Sequence, residues 1–356
     1  MYYISIKFSL IFLFIITSSI AFGTGIYSGS STHAPRAVEN NAESILSDTS
    51  HQTGSPVVCD LEYQSIQNIT SPLQPRHIDD TVDEVGSDLE LNHRYPVLSA
   101  RDFQNQRLPD YDYEVIVAVL DTGIDADHEA LCSVVASEIN FTDSPAGVVD
   151  MYGHGTSIAG IIAANGDDNF RVQGIASNCR LLNVKVVDDR GHYNMSDLVN
   201  GIRWAVDNGA NIINISLVSE EKSTDLETAI NYAWQNGVVI VAAAGNGGTN
   251  KPVYPAAYDH CIAVTAVDGN NNLIPLANYG DWVDIAAPGY KIYSTLPGNN
   301  YGYVYGTSFA TAYTSGLAAT IFPLVQDSND DGKSNDEIYK LIVNNFQDDQ
   351  KQLIQD

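Results

Sequence analysis

The sequence predicts an α/β fold, a doubly wound parallel sheet with helices on both faces. Two observations lead there. After about Arg101, apolar runs too continuous for half-exposed strands alternate with amphipathic stretches. The amphipathic stretches also carry helix start and stop signals.

Val115–Leu120, Leu181–Val187, Ile212–Leu217, Val238–Ala243 and Ile262–Val267 read as strands buried on both faces. Between them, Leu198, Ile202, Ala205 and Val206 recur at helical spacing and Gly209 ends the run. In the next helix Thr224 and Glu227 have the spacing of a capping box, with Gly237 at the close. From Phe22 to Ala100 the chain is rich in Ser, Asn, Asp, Thr and His and keeps no period of 3.6 or 2. That stretch reads as a pro-segment or loosely ordered linker, and no internal repeat is visible.

A chain of 356 residues has room for one large domain or two medium ones. Its 44% hydrophobic content is near the globular norm, which argues against disorder of the whole chain. The formal charge of -27 repels phosphate backbones and anionic membranes, so nucleic acid is a poor partner. Such a charge serves solubility, or else gathers carboxylates for calcium or cationic substrates.

At the N-terminus Lys7 precedes an apolar run, and Ser19-Ile20-Ala21 offers small residues at the outer positions of a cleavage site. Residues 1–21 are therefore expected to be a signal peptide, leaving 22–100 as pro-segment and 101–356 as the main domain. The alternative is an uncleaved anchor from Phe8 to Phe22. Export makes Cys59, Cys132, Cys179 and Cys261 disulfide candidates. Cys132 and Cys179 each precede a strand-like segment. If those strands are neighbours this pair is favoured, the alternative being buried free thiols.

Three glycine-bounded patches stand at the ends of elements. Asp121-Thr122-Gly123 follows a buried strand, on the side where ligands bind in open parallel sheets. Taken alone, that Asp reads as a turn or cap residue. His154 opens a small-residue segment, Gly153 to Ala164, and no second His or Cys lies at zinc-ligand spacing. Ser308, in Gly306-Thr307-Ser308-Phe309-Ala310, stands at a helix start, where a Ser is ordinarily a cap. The functional alternative is that this helix end lies under the oxygen of an acyl intermediate.

In the order Asp, His, Ser, joined by Ala242-Ala243-Ala244-Gly245-Asn246-Gly247, these motifs resemble the subtilisin family of serine proteases over roughly Val115 to Phe346. The resemblance implies a three-layer α/β/α fold on a mostly parallel seven-stranded sheet, and a monomeric endopeptidase acting on polypeptides; the expected signal peptide makes it secreted or periplasmic. It makes Asp121, His154 and Ser308 the catalytic triad and Asn246 the oxyanion donor. Ser216, Leu217, Val218, Ala243 and Gly245 become the substrate-binding edge. No cofactor is required for that chemistry, and no stable membrane association is expected beyond the signal segment. The rival readings are a catalytically silent peptide-binding domain and a processing protease dedicated to one substrate.

The chain also departs from the family pattern. Val218 stands where Gly is usual beside the pocket for the side chain preceding the cut, which implies a preference for small residues there. Ala312 replaces a Pro that follows the nucleophile. Ala130 replaces a calcium-binding Asp, and the loop Asn165–Val172, with Asp167 and Asp168, does not match the family's metal loop. A weak calcium site is instead expected at Asp327, Asn329 and Asp331, in a loop that starts like an EF-hand but has Ile338 at the position of the bidentate carboxylate. Ser334 and Glu337, spaced as a capping box, are the plainer account of that loop.

Overall fold

A computed structural model describes residues 114–165 and 172–344, together with the backbone of a short strand at Val57–Val58, all within Gly54–Asp356. The expected signal peptide, Cys59, Asp167 and Asp168 lie outside the described residues. In chain order the elements are β1 (Val57–Val58), β2 (Ile116–Asp121), β3 (Val135–Asn140), α1 (His154–Ala163), β4 (Arg180–Lys185), β5 (His192–Tyr193), α2 (Met195–Asp207) and β6 (Ile212–Ile215). There follow α3 (Thr224–Gln235), β7 (Val239–Ala243), β8 (Cys261–Val267), β9 (Ile285–Pro288), β10 (Ile292–Leu296), β11 (Asn300–Val304), α4 (Thr307–Ile321) and α5 (Asn335–Asn344).

Seven strands form one sheet in the order β3-β4-β2-β6-β7-β8-β9, and every neighbouring pair is parallel. The alternation of side chains divides the inner strands β4, β2, β6, β7 and β8 between two cores. Val117 and Val119 of β2 join the core that contains α1, α4 and α5, while Ala118 and Leu120 join the one that contains α2 and α3. A strand with a core on each side must be apolar throughout, which is why these segments read as unbroken hydrophobic runs. Helix α1 is buried along its whole length and α4 nearly so, hence their Gly, Ala and Thr content on all sides.

The chain leaves β2 toward β3 and β4 on one side and later returns with β6 on the other. The carboxyl end of β2 is thus a topological switch point, where open α/β sheets bind ligands. A hairpin of β10 and β11, closed by Pro297-Gly298-Asn299, packs beside α1.

Two sequence expectations change here. Cys132 and Cys179 do precede the parallel neighbours β3 and β4, yet both are free thiols. The turn from His128 to Val134 leaves Cys132 exposed, whereas Cys179 is in the core. Helix α3 is capped by Ser223, whose Oγ accepts from Leu226 N at 3.3 Å, and not by Thr224. Ala312 is the sixth residue of α4, beyond the first turn, so its N–H is an ordinary helical donor.

Candidate active site

Asp121 is the last residue of β2 and 1% exposed; His154 is the first of α1 and 5% exposed. The imidazole Nδ1 faces both carboxylate oxygens, at 2.8 and 2.9 Å. Nδ1 is therefore the donor, and Nε2 is left as an acceptor. This approach of helix to strand depends on Gly155, where a Cβ would come within 2.1 Å of Gly123 O. Burial pulls the imidazole pKa down, but the charge and hydrogen bond of Asp121 and the charge of Asp150 outweigh it, and His154 lies above its ordinary 6.5.

A second carboxylate, which sequence reading missed, fastens the two elements together. Asp150 is 2% exposed and accepts five hydrogen bonds: from Thr122 Oγ1 (2.8 Å), Tyr152 N (3.0 Å), Gly153 N (2.7 Å), Thr156 N (2.9 Å) and Thr156 Oγ1 (2.7 Å). Thr122 in turn accepts from Gly155 N through its hydroxyl at 2.9 Å. Below them Lys185, fully buried, donates to the carbonyls of Thr122 and Val149. Asp189 Oδ1 stands 3.0 Å from its ammonium as an ion pair without hydrogen-bond alignment.

Ser308 is the second residue of α4 and 4% exposed. The ring of Phe309, next in the chain, lies 5.4 Å from the His154 ring. Nε2 of His154 is buried and has no hydrogen-bond partner among the described residues, so the hydrogen-bonded line that starts at the Asp121 carboxylate stops at the imidazole. Catalytic hydrogen bonds commonly close only with substrate in place. A further polar line secures the segment from behind: Ser315 Oγ donates to Asn214 Oδ1, Asn214 Nδ2 to Ser216 Oγ, and Ser216 Oγ to Ser308 O.

Asn246 follows β7 in the loop after Ala243. Its Oδ1 accepts from Thr307 N at 3.0 Å and Thr307 Oγ1 at 3.1 Å, which fixes the amide with Nδ2 as the free end. Gly306, at φ 136, brings its backbone close to that Nδ2, which an added Cβ would approach to 3.2 Å. Asn278, 3% exposed, holds the same loop by accepting from Gly247 N and Thr249 N and donating to Ala244 O.

Among the residues expected at the substrate edge, Ser216, Leu217, Ala243 and Gly245 are buried and Val218 is partly exposed. Val218 Cγ1 stands 3.4 Å from an ideal Cβ on Gly245, so the two segments face each other across a narrow gap. Val218 O accepts from Tyr193 OH at 2.8 Å.

The loop at Asp327, Asn329 and Asp331 is held by its own side chains. Its oxygens turn to the loop's own N–H groups, Asp327 to Asn329 and Gly332, Asn329 to Asp331, and Asp331 to Lys333. The Gly332 N–H bond holds the Asp327 carboxyl below the usual range. Ile338 is buried in the core, and no group of three His, Cys, Asp or Glu among the described residues could hold an ion. Glu337 accepts from Ser328 N and Oγ instead of closing a box with Ser334.

A buried carboxylate–imidazole pair at the switch point of a parallel α/β sheet, beside a helix-borne serine, defines a hydrolase-type site on a doubly wound scaffold. The chain belongs to the subtilase family, whose model matches residues 112–355. It is 42% identical over 226 residues to the thermophilic serine proteinase of Bacillus sp. (strain AK1), covering 64% of this chain and 55% of that protein. It is similar to thermitase of Thermoactinomyces vulgaris, 40% identical over 205 residues, 58% of this chain and 74% of that one. With alkaline elastase YaB of Bacillus sp. (strain YaB) it shares 42% over 207 residues, 58% of this chain and 54% of the relative. The match thus spans about half the length of two of these three relatives.

Proposed function

We propose that the chain is a secreted serine endopeptidase that cleaves polypeptides through an acyl-enzyme, with Ser308 as nucleophile, His154 as general base and acid, Asp121 as the imidazole's partner and Asn246 as oxyanion donor. The observation that carries this reading is the one-sided imidazole, its Nδ1 held by Asp121 and its Nε2 buried and unbonded. In the reaction, Ser308 Oγ bonds to the scissile carbonyl carbon as its proton passes to Nε2. Asp121 stabilises the imidazolium, and the oxyanion takes hydrogen bonds from Asn246 Nδ2 and Ser308 N–H. Nε2–H then protonates the leaving amine, and water repeats the sequence on the ester. None of these steps uses a metal or cofactor.

Residues 1–21 are proposed to leave as a signal peptide and 22–100 as a pro-segment, releasing 101–356 as a monomeric, secreted or periplasmic peptidase with no stable membrane association. In support, Val57–Val58 pairs antiparallel with β5, as an extended peptide augments a sheet edge, and Tyr193 of β5 also reaches Val218. No helix among the described residues is long and apolar enough to cross a membrane. The narrow gap between Val218 and Gly245 favours a second reading, a processing protease with a restricted substrate.

A fluorophosphonate probe tests the assignment. Ser308 should be labelled in the wild type, His154→Ala should react far more slowly, and Ser308→Ala should not react there. Equal labelling of wild type and His154→Ala would remove the proposed base. Intact mass of the exported product with and without Ser308→Ala reports the cleavage points: a pro-segment removed equally in both chains is not self-processed.

A further inference from the structure

Asn246 is followed by Gly247, the neighbour least able to obstruct attack by its own backbone nitrogen. We propose that Asn246–Gly247 is a latent self-modification site, at which the side-chain amide converts to an acid, and that Asn278 is the latch that holds the conversion off. In the step, Gly247 N loses its proton to solvent and bonds to Cγ of Asn246. The Cγ–Nδ2 bond breaks, and ammonia leaves with a proton from solvent. Water then opens the cyclic imide at either carbonyl, giving aspartate or isoaspartate. The balance is one water taken up and one ammonia released, with no oxidant or reductant.

The surroundings favour the attack. Asn246 is partly exposed and Gly247 exposed, so water and base reach both. The bonds from Thr307 N and Oγ1 to Asn246 Oδ1, at 3.0 and 3.1 Å, draw electron density from Cγ, as an oxyanion hole does at any acyl carbon. The bonds that orient the amide therefore also make it a better electrophile.

One contact opposes it. Gly247 N–H is donated to Asn278 Oδ1 at 3.0 Å, and that bond must break before the nitrogen can lose its proton or turn onto Cγ. Asn278 is anchored by Thr249 N on the same oxygen at 3.1 Å and by Nδ2 to Ala244 O at 2.7 Å. Its backbone is held by a bond from its N–H to Gly245 O at 2.8 Å and by Thr265 Oγ1 on its carbonyl at 2.6 Å. The modification itself does not depend on the proposed activity. Its consequence does, because an acid at position 246 would put an anion where the oxyanion is stabilised.

The test follows Asn246 by peptide-mapping mass spectrometry while the full chain ages at mildly alkaline pH, in a Ser308→Ala background so that self-digestion does not intervene. Asn208–Gly209 and Asn236–Gly237, at the ends of α2 and α3, serve as internal references. Asn278→Ala should speed conversion at Asn246 by about five- to tenfold, the effect of one net backbone hydrogen bond, with the references unchanged. Asn278→Asp, which keeps the acceptor for Gly247 N–H, should stay near the parent rate. Equal rates in parent and Asn278→Ala overturn the latch, as does an Asp variant that ages as fast as the Ala variant. Should Asn278→Ala fail to fold, the parent is compared with itself in urea: slower native conversion at Asn246 is required, and equal rates overturn the proposal.

Discussion

Asp150 holds Thr156 twice through one carboxylate oxygen, taking its N–H at 2.9 Å and its hydroxyl at 2.7 Å. The other oxygen holds Thr122, the residue after Asp121, so a single buried group spans the strand end and the helix start that carry the Asp–His pair. The same charge pushes the His154 pKa up.

Asp150→Asn should therefore do two separable things. The proposed base works as neutral imidazole, so kcat/KM should climb as pH rises through the raised His154 pKa. Removing one of the two negative charges that raise it should move this acid limb to lower pH, while loss of charge-assisted bonds costs about 2–3 kcal/mol of stability. Rate profiles and chemical denaturation separate the effects. An acid limb that stays in place while stability falls would reduce Asp150 to a purely structural clamp.

Asn246→Leu keeps approximate volume and removes the amide. If Asn246 is the proposed oxyanion donor, this should lower kcat by about 100- to 1000-fold with little change in KM, the cost of removing one such donor. Loss of the acceptor for Thr307 N and Oγ1 adds a stability cost of about 1 kcal/mol. A variant that loses affinity and keeps kcat would place Asn246 in substrate binding and not at the oxyanion.

How much of this was legible in the sequence follows from where each residue's constraint originates. Strands β2, β4, β6, β7 and β8 were visible because a core on each face forces unbroken apolar runs. Strand β9 is four residues ending in Pro288, and the β10–β11 hairpin mixes Tyr with Ser, Thr and Gly, so neither rises above the surrounding turns. Asp121, His154, Ser308 and Asn246 stood out only together, because their motifs in that order resemble the subtilisin family, while each alone reads as a turn, cap or ordinary residue. Asp150 and Asn278 did not, since Asp and Asn are common turn residues. Their importance comes from contacts with segments 28 and 34 residues away. The lost Cys132–Cys179 pair teaches the same lesson: the strands were neighbours as expected, but a local turn decided where the thiol went.

Val218→Gly should widen the gap that Val218 Cγ1 and Gly245 now define. The wild type is expected to prefer small side chains before the cut, and the variant to gain on peptides with Phe or Tyr there. Filling such a pocket with an extra group is worth about 1–3 kcal/mol of discrimination, or about 10- to 200-fold in relative kcat/KM. Efficient wild-type cleavage after Phe in a peptide library would show that the pocket is not bounded by this residue.

Asp284 offers a test away from the site. Burial pushes its carboxyl up to about 6, against the opposing bonds from Ala263 N (2.8 Å) and Tyr339 OH (3.3 Å). An acid whose folded pKa exceeds its unfolded 3.8 binds its proton more tightly when folded, so this group's contribution is most favourable below about pH 4 and is lost as pH rises toward 6. Asp284→Asn cannot ionise and keeps an acceptor for Ala263 N. It should gain about 1–2 kcal/mol over the parent at pH 7 and none near pH 4. Reversible denaturation of both chains in the Ser308→Ala background at the two pH values measures this difference, and a gain of equal size at both would mean that ionisation of Asp284 is not its source.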